Sequence, residues 1–392
     1  MKYRKFKADF LFTGHEMLNG GHVLVTDLKG KFVNIVSETE AGDGVEVFSG
    51  ILSPGFVNAH CHLELSHLKN KIPQKTGLAG FVSNVVSGRH FPPAEIRGAI
   101  RNAEAKMLQV GIVAVGDICN NSLTLLAKEK KKLAYYNFLE VSGWNPETAA
   151  SRFEKTKSYY DEFIKKGLRG SIVPHAPYSV SGILWGKITP FFLGKVVTIH
   201  SQETKREDQF FVKGSREFEK MYKILKIDNS FYVPPKTRSL HTYFKNFFTA
   251  SSVILVHNTF TKQLDIDYIN QNKPPQQVVS FCLCPNANLY IENRLPPVEM
   301  FVKNNCNIVI GTDSLASNLQ LSVLEELKTI SREFPQINPA TLLQWATANG
   351  AKALQMDDVL GSFDKGKKPG IVIITKANRK KLNKNSVATR IL

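Results

Sequence analysis

The hydrophobic positions of this chain form short apolar runs, separated by longer stretches with helical periodicity. Buried parallel strands are typically continuous apolar runs because both faces of their sheet are covered. Helix-like segments such as 93–111 separate most of these runs, and another, 339–354, follows the last of them, which favours strands that run parallel. Eight such strands would close into a (β/α)₈ barrel. The predicted strands are residues 55–60, 111–117, 133–141, 171–175, 196–200, 252–257, 278–283 and 307–313.

The two ends of the chain have a different pattern. Residues 1–50 contain short apolar runs broken by Gly, Asn and Asp, and residues 369–375 form another apolar run. Because chain ends often lie close together, we expect both to contribute to one small β-sandwich domain. The predicted division is β-sandwich for 1–52 and 358–392, and barrel for 53–357.

One connection, residues 201–251, is longer than an ordinary loop and is rich in Phe and Lys. We expect it either to cover the barrel mouth as a lid or to form part of a dimer surface.

The composition indicates a folded protein with a strongly basic surface. Hydrophobic residues make up 43% of the 392 positions, and 51 Lys and Arg against 34 Asp and Glu give a net charge of +17. The basic residues are scattered and form no tract interleaved with aromatic residues, so we expect a solvated surface and no nucleic-acid partner. An anionic small substrate remains compatible with this charge.

The cysteine count and the apolar run lengths bear on the compartment. Five cysteines, an odd number in a long chain, do not suggest a disulfide framework. No apolar run reaches the length of a signal peptide core or a membrane span. We therefore expect a reduced, cytoplasmic protein without a membrane partner.

Polar residues of metal-binding type gather at the carboxyl ends of the predicted strands, where barrel active sites lie. His60 and His62 follow strand one, and two residues two positions apart in extended backbone project to the same side. Two imidazoles placed in this way can bind one ion, although the pair alone could also be two unrelated polar residues. His175, His200, His257 and Asp313 end strands four, five, six and eight.

Each of these later residues also has a structural interpretation. The His200–Glu203 segment fits a metal ligand followed by a general base, but Ser-x-x-Glu also caps helices. His257 could be a satisfied core histidine, and Asp313 a residue of a strand-end turn. Their joint order on successive strands makes coincidence improbable, and the sequence therefore predicts a metal site at the barrel mouth.

Together, the motifs PGFVNAHCHLE, PHAPYS, TIHSQE, LVHN, CPNANLYI and IGTDSLASN resemble the amidohydrolase superfamily, in particular its deaminase and chlorohydrolase branch. The match covers almost the whole chain, although Pro369-Gly370 replaces the usual Ala-Asp pair near the end. Strand four has no lysine, which argues against the members that bind two metals through a carboxylated lysine.

The resemblance implies a barrel with a β-sandwich from both termini and a single divalent metal, zinc or alternatively iron. It implies that Glu203 moves protons, that His257 orients the attacking water or steadies the tetrahedral intermediate, and that His175 contacts the substrate. Asp313 would both bind the metal and accept a proton. The implied metal ligands are His60, His62, His200 and Asp313.

Within this branch, HLELS, LAGFVSNVVSGR and CPNANLYIENRLPPV look like aminodeoxyfutalosine deaminases, whose substrate carries an adenine that loses its 6-amino group as ammonia. Glu64, Arg89 and Asn288 are further candidates for substrate contact, and Glu140 is a further candidate for the pocket wall, although each could also be a surface residue. Deaminases of adenosine-type nucleosides, guanine, cytosine and pterins, and hydrolytic dechlorinases, share the same skeleton. Members are often dimers, so a homodimer is compatible with the sequence.

Two other classes fit the motifs less well. The zinc deaminases that use H-x-E and P-C-x-x-C motifs need a cysteine pair that Cys282-x-Cys284 does not provide. A non-catalytic binding protein on this scaffold would usually lack a metal ligand or the general base, and here all of these residues are present.

Overall fold

The computed structural model describes residues 3–392. Its strands are β1 (Tyr3–Lys7), β2 (Phe10–Phe12), β3 (Met17–Asn19), β4 (His22–Asp27), β5 (Phe32–Ser37), β6 (Val45–Val47), β7 (Ile51–Pro54), β8 (Phe56–Cys61), β9 (Ile112–Cys119), β10 (Ala134–Val141), β11 (Gly170–Pro174), β12 (Val196–Ser201), β13 (Ser252–His257), β14 (Val278–Leu283), β15 (Asn307–Ile310), β16 (Ile371–Thr375) and β17 (Val387–Arg390).

The α-helices lie mainly between the central strands. They are α1 (Glu38–Ala41), α2 (Gly77–Gly88), α3 (Pro93–Gln109), α4 (Leu125–Lys128), α5 (Ala149–Lys165), α6 (Gly182–Ile188), α7 (Lys205–Lys213), α8 (Arg216–Ile224), α9 (Ser239–Tyr243), α10 (Gln263–Asn272), α11 (Pro285–Glu292), α12 (Val298–Lys303), α13 (Val323–Glu333), α14 (Pro339–Ala346) and α15 (Ala348–Ala353).

Strands β8–β15 coincide with the eight apolar runs of the sequence, within a few residues at each end. They form two parallel four-stranded sheets, with the orders β11-β10-β9-β8 and β12-β13-β14-β15. Backbone hydrogen bonds join the sheets at both edges: His200 N donates to His175 O, and Thr312 N donates to His60 O. The strand ends that carry the candidate ligands are therefore held against one another.

The central strands are apolar because helices cover them. Every residue of β8, β9, β12 and β13 is buried, and most of their side chains belong to one hydrophobic core. Gly350 in α15 allows this packing, because a Cβ there would lie 2.8 Å from the Cβ of Val57. Burial on both faces explains why the sequence pattern located these strands well.

Both ends of the chain contribute to one five-stranded sheet, with the order β17-β16-β7-β2-β3. Within it, β16 pairs antiparallel with β7, and β7 pairs parallel with β2. A second sheet, β5-β4-β1-β6, is built from the first 47 residues alone. The N-terminal and C-terminal segments therefore pair within one sheet, as the sequence predicted.

The long segment 201–251 contains the helices α7, α8 and α9. Apolar side chains of α7 and α8, such as Phe210 and Phe218, form a separate hydrophobic cluster with Trp144, whereas Leu240 and Tyr243 of α9 belong to the main core. The stretch from Met221 to Asp228 lines the cavity beside the candidate site. We call the segment 201–251 the lid because of this position beside the cavity, and its part in a dimer surface stays a prediction. Within residues 3–392, no helix combines the length and apolar character that a membrane crossing needs.

Candidate metal and catalytic site

Three imidazoles converge at the ends of β8 and β12. His60 and His62 lie two positions apart at the end of β8, and their Nε2 atoms are 3.2 Å apart. The Nε2 of His200, on β12, lies 3.2 Å from that of His62. All three side chains are buried.

Asp313 completes the cluster from the loop after β15. Its Oδ1 lies 3.4 Å from His62 Nε2 and 3.7 Å from His60 Nε2. The close approach of this loop to β8 requires Gly311, because a Cβ there would lie 2.8 Å from the Cβ of His60. The other carboxylate oxygen of Asp313 accepts a hydrogen bond from Ser317 Oγ at 2.5 Å, which fixes the carboxylate with Oδ1 toward the histidines.

The chemistry of this donor set fits a divalent cation. His200 Nδ1 lies 2.7 Å from the carbonyl oxygen of His175, which can only accept, so Nδ1 carries the proton and Nε2 presents a lone pair to its neighbours. The Nε2 of His62 lies 3.2 Å from this nitrogen and 3.2 Å from the Nε2 of His60, so a single cation placed among them would contact all three nitrogens. Zinc–nitrogen bonds of ~2.0–2.1 Å place tetrahedral ligands about 3.3 Å apart, close to these spacings.

The protonation states favour the same interpretation. Burial lowers the pKa of His62 to about 3 and that of His200 well below its ordinary value, with further lowering from the neighbouring histidines. Burial alone would raise the pKa of Asp313, but hydrogen bonding to His60 and the nearby imidazoles hold it well below the usual range. Neutral imidazoles beside an ionised carboxylate are the forms that bind metal ions.

Glu203 and His257 lie beside this cluster. The Oε1 of Glu203 is 3.6 Å from the Nε2 of His257, and both side chains are buried. Burial raises the pKa of Glu203 well above its ordinary value, and the negative charges of Asp313 and Glu292 raise it further. A carboxyl group in this environment can hold a proton near neutral pH, as a proton carrier must.

A cavity of about 410 Å³ opens directly beside the cluster. His175 lines it, with its pKa lowered to about 4 by burial and then by the neighbouring histidines. Glu64 and Arg89 also line it, so three of the four residues predicted to contact substrate face this space. Burial raises the pKa of Glu64 to about 8.

The fourth residue, Asn288, does not line the cavity, so its predicted contact with substrate is corrected. Its side chain lies behind the ring of His257, with Oδ1 2.9 Å from His257 Nδ1. The reason is the phase of α11, which turns Asn288 toward the strand end and leaves it 2% exposed.

The amidohydrolase family model matches residues 51–391, most of the chain. The chain belongs to the amidohydrolase family. It is similar to the adenosine deaminase of Helicobacter pylori, at 25% identity over 79% of this chain and 76% of the relative. It is also similar to the aminodeoxyfutalosine deaminase of Nitratiruptor sp., at 26% identity over 78% and 73%.

A solved structure, that of Helicobacter pylori aminofutalosine deaminase in complex with methylthio-coformycin, has the same fold. It superposes with a TM-score of 0.80 at 21% identity, covering 99% of this chain and all of the other. With its relatives named as deaminases, this amidohydrolase is an enzyme that hydrolyses C–N bonds.

One residue of this amidohydrolase's cavity, Trp144, had no clear signal in the sequence. Trp144, which follows β10, lines the cavity and stacks on Tyr222 of α8 with ring centroids 5.7 Å apart. Glu140, at the end of β10, faces the same cavity and accepts a hydrogen bond from Asn120 at 3.1 Å. Glu140 lies at a strand end like the histidines and was already a pocket candidate from the sequence, whereas the position of Trp144 depends on how the lid packs.

A buried ion pair supports the loop after His62. Asp117, at the end of β9, accepts a hydrogen bond from Leu63 N at 2.8 Å. Its other oxygen lies 2.5 Å from Lys128 Nζ, and both side chains are fully buried. A lysine in a basic run has no signal of burial in the sequence, so this support could not be predicted.

Proposed function

We propose that this amidohydrolase is a mononuclear metal-dependent aminohydrolase that removes the amino group from an adenine-nucleoside-like substrate and releases ammonia. The observation that carries the proposal is the convergence of His60, His62, His200 and Asp313 in one buried cluster with Glu203 beside it, at the wall of a ligand-sized cavity. The deaminase names of the relatives support the reaction.

The proposed metal ligands are His60, His62, His200 and Asp313, and the proposed metal is Zn²⁺, for which three nitrogens and one carboxylate are a familiar donor set. A divalent metal held by these residues would lower the pKa of water to about 7 and would so supply a nucleophile at neutral pH. Iron would suit the same donors.

The protein groups then move the protons. Glu203 accepts one proton from the attacking water and delivers it to the ring nitrogen next to the carbon under attack. His257 holds the water in line, and Asp313 accepts the second proton and passes it to the departing amino group. The amino group leaves as ammonia, so that substrate and water become the keto product and ammonia. His175, Glu64 and Arg89 contact the base or sugar from the cavity wall.

Aminodeoxyfutalosine is the leading substrate within this proposal. The support is the motif resemblance of residues 78–89 and 284–298, together with the name of the relative from Nitratiruptor. We also infer that the two parallel sheets are halves of a closed (β/α)₈ barrel (53–357), and that residues 1–52 and 358–392 form a β-sandwich. The hydrogen bonds at both sheet edges and the β7–β16 pairing support this inference.

We also propose that the enzyme is cytoplasmic, that it forms a homodimer and that it has no nucleic-acid partner. All five cysteines are free, which agrees with a reducing compartment. Size-exclusion chromatography with light scattering would test the dimer, since a single species at the 43.9 kDa monomer mass would contradict it.

An ammonia-release screen tests the reaction and the substrate together. Zinc-loaded enzyme is offered adenosine, methylthioadenosine, S-adenosylhomocysteine, aminodeoxyfutalosine, guanine, cytosine and pterins. We expect release from adenine nucleosides, with the highest kcat/KM for aminodeoxyfutalosine. Activity on guanine, cytosine or pterins alone would overturn the substrate class. No release from any compound by fully metal-loaded enzyme would overturn the reaction.

A further inference from the structure

Asn288 contacts His257 at two points. Asn288 Oδ1 lies 2.9 Å from the ring Nδ1 of His257, and Asn288 Nδ2 lies 3.3 Å from the backbone oxygen of His257. A third contact joins Asn288 Nδ2 to Thr259 Oγ1 at 2.8 Å. The Asn288 and His257 side chains are 2% and 1% exposed, so water does not compete for these groups.

The carbonyl of His257 decides which end of the Asn288 amide faces it. A backbone carbonyl only accepts hydrogen bonds, so the atom that contacts it must be the NH₂ group. The amide oxygen therefore faces the ring, and an amide oxygen also only accepts. The ring nitrogen opposite it, Nδ1, must carry a proton.

This assignment has a consequence at the reacting end of the ring. In a neutral imidazole only one nitrogen carries a proton. If that proton is on Nδ1, the Nε2 of His257, which lies 3.6 Å from Glu203 Oε1, presents a lone pair to the site. A neutral His257 in this form accepts a hydrogen bond from water and cannot donate one to the substrate.

The backbone at this point also needs support. His257 and the next residue, Asn258, both have left-handed φ angles, 72° and 54°. Such angles are unfavourable for residues with a Cβ and cluster at functional sites, where the surroundings must hold them. The hydrogen bond from Asn288 to the His257 carbonyl is one of the contacts that does so.

We propose that Asn288 is a positioning residue that fixes the ring of His257 and holds its proton on Nδ1, so that Nε2 acts as a hydrogen-bond acceptor toward the attacking water. The role of His257 in this statement rests on the proposed function, whereas the tautomer does not. This role also accounts for the CPNAN motif, since Asn288 is its last residue and α11 aims it at His257.

The direct test is ¹⁵N NMR of the zinc-loaded protein labelled at histidine, with the His257 signals assigned by comparison with His257→Gln. We expect a protonated Nδ1 and an unprotonated Nε2 for His257 in the unaltered protein. A proton on Nε2 would overturn the inference. The measurement needs no substrate, so its outcome is separate from that of the ammonia screen.

The kinetic test uses Asn288→Leu, which keeps the volume and removes the acceptor. We expect kcat to fall by roughly 10–100-fold with a small change in KM and unchanged zinc content, because outer contacts to site residues typically have effects of this size. In the NMR spectrum, the proton should then distribute over both nitrogens. Unchanged kcat and an unchanged His257 spectrum would contradict the proposal.

Thr259→Val serves as the matched control. It removes one hydrogen bond from the same carboxamide but leaves the acceptor facing Nδ1. We expect it to retain the Nδ1 proton and to lose less kcat than Asn288→Leu at a similar melting temperature. Equal losses of kcat in both variants, with the tautomer preserved in both, would reduce Asn288 to a structural role and overturn the proposal.

Discussion

At the scale of single residues, environment assigns different tasks to two carboxylates of the site. Asp313 is held ionised by the imidazoles around it, whereas burial and neighbouring negative charge raise the pKa of Glu203 and so make its carboxylate the stronger base. A carboxylate that binds a metal must be ionised, and a carboxylate that carries protons must exchange its proton. The surroundings of Asp313 suit the first role and those of Glu203 the second, although both side chains are carboxylates.

Replacing Glu203 by Gln tests this division. The amide keeps the size of the side chain but cannot accept the proton of water, so we expect kcat to fall by roughly 10²–10⁴-fold with bound zinc unchanged. Glu207→Gln is a suitable control, because Glu207 is equally buried but bonds to Gln202 N and Ser239 Oγ outside the cavity. Near-normal turnover in Glu203→Gln would remove Glu203 from the chemistry.

The sequence predicted which residues converge, because strand ends are recognisable and barrel topology brings them together. It did not predict that Asn288 would turn away from the cavity. The direction of a side chain on a short helix depends on the rotation of that helix against the strands, which the motif CPNAN does not encode. Asp117 and Lys128 were missed for a similar reason, since their pairing exists only in the packed core.

At the scale of elements, the positions of the central strands could be predicted from the sequence, whereas the packing of the lid could not. Strands buried on both faces must be apolar throughout, so β8–β15 were located from pattern alone. The lid depends on contacts between distant segments: Trp144 stacks on Tyr222 and donates from Nε1 to Asn229 Oδ1 at 2.7 Å. The connection 201–251, rich in Phe, indicates such packing but does not specify it.

Trp144→Ala tests the lid. It removes the ring on which Tyr222 and Tyr232 pack, so we expect the free energy of unfolding to fall by roughly 3–5 kcal/mol. We also expect KM to rise at least about tenfold, equivalent to ~1.4 kcal/mol of binding. Urea titration and steady-state kinetics measure the two effects.

Trp185→Ala is the matched control, because Trp185 stacks on Tyr243 but does not line the active-site cavity. It should lower stability and leave KM close to that of the unaltered enzyme. A larger rise of KM in Trp185→Ala than in Trp144→Ala would contradict the lid assignment.

At the scale of the whole molecule, the net charge is +17, but the lysines of the basic run 128–132 do not all lie on one exposed surface. Lys128 is fully buried against Asp117, while Lys130, Lys131 and Lys132 are exposed. A nucleic-acid site needs several cations aligned along one surface, because affinity grows with the number of phosphates neutralised together.

We therefore predict that the enzyme is not retained on immobilised duplex DNA at about 150 mM salt. Fluorescence anisotropy with labelled DNA across a salt series provides the measurement. Tight binding at that salt, with affinity falling steeply as salt rises, would show that the scattered cations do act together.

The central claim is that one cation is bound by ligands from β8, β12 and the loop after β15. Elemental analysis of purified protein, combined with zinc titration of the metal-free form, tests it most directly. The account predicts about one zinc per chain, and loss of tight binding in His60→Ala but not in His15→Ala, whose imidazole pairs with Asp364 at the surface. Full zinc content in His60→Ala, or none in the unaltered protein after zinc loading, would contradict it.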